Sequence, residues 1–371
     1  MQAVDPQLRQ ARSHDNTQLI GLARAAPMQG GIRVFADRAP DFFALADLQG
    51  DSQVLVVEEQ GEIVASLTIS KRLETWFGEP RSMLHVGDMR VLPRRRAKGM
   101  ARLLAMRWFD DLAETGVDGG GFEIMHDNRN ALGLLKLFEE RPDLRPSELG
   151  QAKIYQVLPL WKHRVDKTLD YRKATASDAS ALADLLQQSY EDYNGHPQFT
   201  PDSLNELMQQ HPSFTWNDIW LAEKRGKLLA CAGFWDQKSV RRTVVETFSS
   251  SIHVIAASLR LVRPILGLPE IPRPGQALSY GFVRFPAHLP GERAALGSLC
   301  RHLLNEVRKT RKYQFVWFSF HSQDPMQGVL DGLVKLSMPI KLFHCSPVKR
   351  KAEWSREPLL ERTPYVDFSL V

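Results

Sequence analysis

The feature that most constrains the fold of this 371-residue chain is an internal repeat. The pattern Arg-x-Ala, followed by an aspartate and by two leucines one helical turn apart, occupies residues 8–22 and returns without a gap in residues 171–185. A second segment repeats too, because residues 57–65 align with residues 222–230 and each copy has the pattern of strand, glycine turn and strand. Repeats separated by the length of a whole domain indicate a duplicated domain, since solenoid repeats are much shorter.

We therefore predict two tandem domains, residues 1–162 and 163–371, each of α/β (α+β) class with a mixed central sheet flanked by helices. The length agrees with a prior of about 150 residues per domain. The second copy contains an insertion at about residues 236–277, which carries an apolar stripe at helical spacing. We expect either a helix packed on its own domain or a lid or domain-interface element. The stripe consists of Ile252, Ile255, Ala256, Leu259 and Val262.

Composition argues against several classes of protein. Three widely spaced cysteines, Cys231, Cys300 and Cys345, predict buried free thiols with no disulfide framework and no metal site. The sequence has no apolar segment typical of a signal peptide or a membrane span, so we predict a cytoplasmic protein that does not bind membranes. A net charge of +5 with interspersed acids argues against nucleic acid as a partner. RNA association through the basic residues 94–98 is a minor alternative, and homo-oligomerisation stays open.

The most informative short segment spans residues 91–101, where an extended run ends in a proline and a basic turn that contains glycine. A helix follows, and its free N-terminal amides are well suited to bind a phosphate. Gly99 lets the phosphate approach the backbone, and Ala101 leaves room beside it. The helix is indicated by apolar residues at helical spacing, namely Leu103, Leu104, Trp108, Phe109 and Leu112.

This turn resembles the acyl-CoA-binding signature of the GCN5-related N-acetyltransferase (GNAT) superfamily, Val-x-Pro-x-x-Arg/Gln-x-x-Gly-x-Gly/Ala. The resemblance implies two tandem GNAT-like domains, acetyl-CoA or another acyl-CoA as co-substrate, an amine as acceptor, and no metal. It also implies that backbone groups of the strand before the turn bind the pantetheine and supply an oxyanion donor. The predicted cofactor-binding residues are Met89, Val91, Arg96, Ala97, Lys98, Gly99, Met100, Ala101 and Asn128.

A second match to the family follows the helix. Residues 121–125 are predicted to form a strand, and Asn128 and Ala131 after it match the Asn-x-x-Ala of the family, whose asparagine contacts the cofactor or holds the loop that does. A helix N-cap is the other interpretation of Asn128. Many members have a tyrosine seven residues after this asparagine, which protonates the departing sulfur, but this chain has Leu135. Tyr155 is a candidate replacement or, alternatively, an ordinary core or strand tyrosine.

Two side chains ahead of the turn are candidates for the general base that deprotonates the acceptor ammonium. His85 lies six residues before Val91, on the same face of an unbroken strand, and histidine as a residue type suits proton removal near neutral pH. Asp88 lies three residues before Val91 and shares that face only if a β-bulge shifts the alternation. The alternatives are a partly exposed strand histidine and an ordinary surface or turn carboxylate.

The second copy departs from the first at the corresponding turn. We align Gly87 with Gly281. In that register Pro290 replaces the signature arginine and Arg293 replaces the signature glycine, so that a donor is lost and a side chain occupies the place of bare backbone. We therefore predict that the second domain is degenerate and that only the first binds acyl-CoA.

These features predict an acyl-CoA N-acyltransferase, most simply an N-acetyltransferase, in which the amine attacks the thioester directly. The first domain would be catalytic and the second would shape the acceptor site. The alternative is an acyl-CoA-binding regulatory module without turnover, in which the missing tyrosine reflects lost catalysis.

Overall fold

The structure is a computed structural model that describes residues 6–28, 32–211, 213–266, 269–349, 354 and 359–370. We keep the names first domain and second domain for the two copies. The helices and strands of the first domain are β1 Gln7–Gln10, α1 Asn16–Ala25, β2 Ile32–Asp37, β3 Asp51–Glu59, β4 Glu62–Trp76, β5 Glu79–Val91, α2 Met100–Glu114, β6 Gly119–Met125, α3 Arg129–Gly133 and β7 Leu144–Val157.

The second domain repeats much of this order of elements. Its helices and strands are β8 Asp170–Lys173, α4 Ala179–Ser189, β9 Tyr193–Asn194, β10 His196–Pro197, α5 Pro201–Gln210, β11 Ile219–Lys224, β12 Lys227–Trp235, β13 Arg242–Phe248, α6 Ser250–Leu266, β14 Tyr280–His288, α7 Arg293–Thr310, β15 Phe315–His321, β16 Lys335–Pro347 and β17 Thr363–Pro364.

The repeat found in the sequence is a structural repeat, and its residues form the same ion pairs in both copies. In the first domain Arg9 lies 2.7 Å from Asp15 and 2.7 Å from Glu58, which joins β1, the turn before α1 and β3. The second domain reproduces the arrangement at 2.7 and 2.6 Å with Arg172, Asp178 and Glu223. The arginine and aspartate of the repeated pattern therefore have one structural role, which is to fasten the start of each domain.

One mixed sheet runs through both domains, and the domains exchange their closing strands. The strand order is β1-β3-β4-β5-β6-β16-β7-β15-β14-β12-β11-β8. β16 of the second domain pairs with β6 of the first, while β7 of the first pairs with β15 of the second. A boundary at residue 162 remains a proposal, and the exchange means that neither part completes its sheet alone.

The insertion contributes β13 and α6. β13 pairs antiparallel with β2 of the first domain, with Arg242 opposite Asp37 and Phe248 opposite Ile32, so the insertion lies at the domain interface. α6 confirms the predicted helix, and Ala256 of its stripe is buried. The other side chains of the stripe, Ile252, Ile255, Leu259 and Val262, lie outside the described residues.

Among the described residues, three hydrophobic clusters hold the fold together. One lies in the first domain under α2, and one lies in the second domain under α4 and α7. The third joins the domains, because Trp76 and Met83 pack with Tyr280, Phe282 and Trp317. Each fully buried side chain of this size contributes about 1.5–3 kcal/mol. The three cysteines are buried free thiols, as predicted.

Within the described ranges no helix combines the length and apolar character needed to cross a membrane. In the same residues no three His, Cys, Asp or Glu side chains gather in a way that would hold a metal ion.

Candidate active site

β5 carries a β-bulge just before the anion-binding turn. Arg90 pairs with Ser66 and Gly87 pairs with Thr68, so two residues of β5 face one residue of β4. Asp88 lies in the bulge with φ of 51°, in the left-handed region. The bulge that the sequence analysis required for Asp88 is therefore present, and it shifts the alternation of side chains along β5.

β5 and β6 separate close to this bulge. They pair in parallel only from Met83 opposite Gly119 to His85 opposite Gly121, and β6 then continues alongside β16. A Cβ on Gly120 would lie 3.1 Å from Trp108 of α2. Because neighbouring strand residues point to opposite faces, His85 and Gly121 face away from α2. The gap between the strands therefore opens beside His85.

The turn after β5 has the geometry of an anion site. Gly99, with φ of 83°, caps α2 in the left-handed conformation, and a Cβ there would meet no atom within 4 Å. Leu103 is the first residue whose amide donates along the helix, to the carbonyl of Gly99. In the described part of the chain the amides of residues 100–102 donate to no acceptor. Free amides behind an open glycine are what a phosphate group requires.

The four basic side chains of the turn divide into two pairs. Arg94 forms an ion pair with Glu62, and Arg95 lies 2.6 Å from Glu59, so both are tied to the β3–β4 hairpin. Arg96 and Lys98 are exposed and have no ion pair among the described residues. The signature arginine and the neighbouring lysine are therefore available for a phosphate.

On the face of the sheet opposite α2, a cavity of about 380 Å³ lies between the two domains. The first domain contributes residues of β4, β5 and β6, including His85. The second domain contributes residues of α5, β14 and β16 and the C-terminal residues 364–368 and 370. The gap between β5 and β6 thus has the anion-binding turn on one side and this cavity on the other.

His85 lies close to the carboxylate of Glu74 inside the cavity. Its Nε2 lies 2.8 Å from Oε1 of Glu74, although off the line of a hydrogen bond. The other carboxylate oxygen of Glu74 accepts a hydrogen bond of 3.0 Å from Nε1 of Trp76. Burial by itself would raise the pKa of Glu74. The interaction with His85 and smaller contributions from Arg72 and Trp76 outweigh burial, so the pKa of Glu74 falls below its ordinary value.

Glu123 and His344 also line the cavity, and neither was predicted as a site residue from the sequence. Burial raises the pKa of Glu123 despite the nearby His85 and Arg72. Burial and the charge of His85 lower the pKa of His344 to about 3. A signal for this packing was present in residues 119–121, which are all glycine. A Cβ on Gly119 would lie 2.6 Å from Cε1 of His344, and one on Gly121 would lie 2.9 Å from Cε1 of His85.

Asp88 lies between two arginines, in a position typical of a carboxylate with a structural role. One carboxylate oxygen accepts a 3.0 Å hydrogen bond from Arg38, which is only 2% exposed, and the other pairs with Arg90. Burial favours the neutral acid, but the two arginines prevail and hold the pKa of Asp88 below its usual range. A low pKa weakens a carboxylate as a base near neutral pH, so His85 is the stronger candidate.

The remaining candidates lie outside the cavity. The side chain of Asn128 caps α3 by accepting a 3.2 Å hydrogen bond from the amide of Ala131, which matches the N-cap interpretation. The hydroxyl of Tyr155 donates to Gln327 at 2.9 Å, within the core of the second domain. That position matches the interpretation of Tyr155 as a core tyrosine. The cofactor role of Asn128 stays a prediction.

The second domain contains the same bulge with a different turn. Phe285, with φ of 53°, is the counterpart of Asp88, because the repeat residues Ala65 and Ala230 pair with Val91 and His288. The expected alignment of Gly87 with Gly281 is therefore wrong by three residues. α2 begins twelve residues after its bulge, whereas α7 begins at Arg293, eight residues after Phe285. The anion-binding turn is thus shortened by four residues in the second domain.

The strand pair that carries His85 is also altered. Where His85 faces Gly121 in the first domain, Phe282 faces Trp317 in the second. Both aromatic side chains belong to the cluster that joins the domains. The second copy therefore has neither an ionisable residue nor a glycine at these two positions.

Comparison with known proteins identifies the fold. Residues 15–138 match the model of the acetyltransferase (GNAT) family. Yeast N-myristoyltransferase (Saccharomyces cerevisiae) with bound myristoyl-CoA superimposes with a TM-score of 0.62 and 11% identity, covering 98% of this chain and 90% of that one. A tandem GNAT protein of the clavulanic acid biosynthesis pathway superimposes with a TM-score of 0.61 and 11% identity, covering 94% of this chain and 100% of that one. A GCN5-related N-acetyltransferase from Sphaerobacter thermophilus superimposes with a TM-score of 0.54 and 13% identity, covering 92% of this chain and 95% of that one.

The architecture is that of the tandem GNAT proteins. Residues 15–138 are accordingly identified as a GNAT domain, which lies in the first domain of the chain. The match of this domain supports N-acyltransferase activity in general, with an acyl-CoA as donor. The amino-acid sequence has no significant match among curated proteins.

Proposed function

We propose that this protein transfers an acyl group, most simply acetyl, from CoA to a primary amine in the interdomain cavity. The observation that carries the proposal is the gap between β5 and β6. On one side of the sheet the start of α2 offers free amides to a phosphate, and on the other side the cavity holds His85. A donor in the gap and an acceptor in the cavity would meet beside the imidazole.

The cofactor-binding residues are proposed from the same geometry. The amides of residues 100–102, with Arg96 and Lys98, bind the pyrophosphate, and the bare backbone of Gly99 permits its approach. The backbone of β5 from Met89 to Val91 binds the pantetheine. Met89 lies in the bulge and has no single partner on β4, so we assign its amide as the donor that stabilises the oxyanion of the tetrahedral intermediate.

His85 acts as the general base. Its imidazole takes a proton from the acceptor ammonium, and the neutral nitrogen forms a bond to the thioester carbonyl carbon. The carbon–sulfur bond then breaks, and the second amine proton passes to the thiolate or to water. No tyrosine is needed for this step, because a thiolate leaves readily, and Leu135 occupies the position where many family members have one. Glu74 stabilises the imidazolium that forms.

The second domain serves as a wall of the acceptor site. Its shortened turn offers no equivalent of residues 96–99, and Phe282 and Trp317 occupy the positions of His85 and Gly121. It contributes instead the α5, β14 and β16 side of the cavity. One acyl-CoA site per chain is therefore expected.

A regulatory module that binds acyl-CoA without turnover is the second candidate. It is favoured by Leu135 and by the engagement of Tyr155 with Gln327, because neither position supplies the tyrosine acid that many family members have.

Release of CoA thiol separates the two candidates. The full chain is incubated with acetyl-CoA and a panel of primary amines, and thiol release is compared with that of His85→Ala. The enzyme is expected to release thiol only with amine present and to lose most of the rate with His85→Ala. Calorimetric binding of acetyl-CoA without amine-dependent release would instead support the regulatory module.

A further inference from the structure

Glu123 occupies a distinctive position in the interdomain cavity. The imidazole of His85 lies against Gly121, where a Cβ would come within 2.9 Å of its Cε1. Glu123 is the next residue of β6 on that face, since strand side chains alternate with a period of two. Its side chain therefore lines the cavity immediately beyond the proposed base.

Glu123 also lacks a partner, in contrast to the other acids of the cavity. Glu74 is paired with His85, and Asp367 lies 3.2 Å from Arg284. Among the described residues Glu123 has neither an ion pair nor a side-chain hydrogen bond. Glu123 is half-buried. A carboxylate that is partly withdrawn from water without a partner loses solvation, and a cation supplied by a ligand would offset that loss.

A second side chain in the same cavity is polar, buried and unsatisfied. His344 is 1% exposed, and neither Nδ1 nor Nε2 has a hydrogen-bond partner. Its ring stacks on Trp354 with centroids 4.7 Å apart. Burial lowers the pKa of His344 to about 3, so it is neutral at physiological pH and adds no charge that would compete with a cation. A neutral imidazole offers one donor and one acceptor to a polar group of a ligand.

The wall also contains Lys71, Arg72 and the ion pair of Arg284 with Asp367, but most of its other residues are apolar. At about 380 Å³ the cavity falls within the range of small-molecule sites, which is about 300–1,000 Å³. A hydrophilic chain such as a polyamine would gain little from such a surface, whereas an apolar ring or branched chain would be buried against it. Large apolar and aromatic side chains of this wall include Trp76, Phe199, Leu207, Phe285, Phe343 and Tyr365.

We infer that the acceptor is a compact primary amine with an aromatic or branched apolar body, and that Glu123 binds its ammonium group beside His85. This inference rests on the proposed function, because it names the substrate class of the same site. Glu123 is then a specificity-determining residue, and it holds the nitrogen until His85 removes the proton.

The test measures binding of probe amines without any acyl-CoA, so that it does not depend on turnover. Phenylethylamine is titrated into the wild type, Glu123→Gln and the control Glu148→Gln, and phenylethanol serves as the neutral probe. Glu148 lies on β7 and pairs with Lys341 at 3.1 Å, so it matches the substitution without lining the cavity. Retained acetyl-CoA binding shows that each variant is folded.

We expect Glu123→Gln to weaken phenylethylamine binding about ten- to a hundredfold, as for the loss of a charge-assisted hydrogen bond. Phenylethanol binding and the Glu148→Gln variant should be unchanged. Equal binding of phenylethylamine by Glu123→Gln and wild type, or tighter binding of spermidine than of phenylethylamine, would overturn the inference. Glutamate-dependent amine binding without thiol release would contradict the proposed function alone, and thiol release unaffected by Glu123→Gln would contradict this inference alone.

Discussion

Nε2 of His85 lies 2.8 Å from Oε1 of Glu74 in the cavity between the two domains. Trp76 holds the second oxygen of that carboxylate, so Glu74 is fixed on both sides. The pair places a proton acceptor on the face of the sheet opposite the anion-binding turn, next to the gap between β5 and β6. The proposed acyl transfer depends on this position.

The first prediction concerns His85. His85→Ala should lower the acyl-transfer rate about 100-fold or more near neutral pH, and by less at high pH, because a base is needed only while the amine is protonated. Affinity for acetyl-CoA should be nearly unchanged. The rate is measured as thiol release from pH 6 to 10. A defect of constant size across this range would indicate a packing role for His85 and would make Asp88→Asn the next variant to profile.

The second prediction separates the two turns. Gly99→Glu should abolish acyl-CoA binding, because it introduces bulk and negative charge where the pyrophosphate is expected. Gly291→Glu is the matched control, because Gly291 lies in the corresponding turn of the second domain. The φ angle is 84° at Gly291 and 83° at Gly99, and a Cβ at either position would meet no atom within 4 Å. Calorimetric titration with acetyl-CoA should show one site per chain in the control and none in Gly99→Glu. Equal losses in both variants would contradict the assignment of the site to the first domain.

The third prediction concerns the repeated ion pairs. Asp15 has a pKa of about 2, and the largest cause is its hydrogen bond to Arg9. Asp178 also has a pKa of about 2, and the largest cause is its hydrogen bond to Arg172. A folded-state pKa below the unfolded value stabilises the protein above about pH 4, and the contribution is lost as the pH falls towards 2. Asp15→Asn should therefore lower the free energy of unfolding by about 2 kcal/mol at pH 7. Its difference from the wild type should shrink between pH 4 and 2.

Denaturant unfolding across that pH range is the measurement, and Asp110→Asn is the control. Asp110 pairs with Arg141 at the surface, where an ion pair contributes about 0–1 kcal/mol. The account of the repeated pairs fails if the two variants lose equal stability at pH 7.

The fourth prediction follows from the strand exchange. Residues 1–162 alone lack β16, so the edge of β6 and one wall of the cavity would be exposed. We expect this fragment to be poorly soluble when produced alone, because long unpaired strand edges promote aggregation. Coexpression with residues 163–371 should give a soluble complex that binds acetyl-CoA. A monomeric fragment that binds acetyl-CoA with the affinity of the full chain would show that the exchange is dispensable.

Local patterns in the sequence predicted much of the fold. The repeated arginine and aspartate indicated the duplication, and the proline, basic turn and apolar helix at residues 91–112 were found where expected. Such features depend on neighbouring residues, whose periodicity and turn chemistry are visible in the sequence. The β-bulge that Asp88 needs in order to share the face of Val91 is present, but the sequence stated it only as a condition.

Long-range relationships were not predictable in the same way. The exchange of β7 and β16 pairs residues far apart in the chain, and nothing local distinguishes it from closure within each domain. Glu74 and Arg38 are functional or structural partners only because the fold brings them to His85 and Asp88. The alignment of Gly87 with Gly281 failed because matching glycines were compared, whereas the bulges define the true correspondence.

The central claim is that the first domain binds acyl-CoA at α2 and presents the thioester through the gap between β5 and β6. The most direct measurement is a crystal structure of the full chain with acetyl-CoA bound. We predict the pyrophosphate at the amides of residues 100–102, the pantetheine along Met89 to Val91, and the acetyl group on the His85 side of the gap. An acetyl-CoA bound at the turn before α7, or one whose acetyl group lies away from the cavity, would contradict the account.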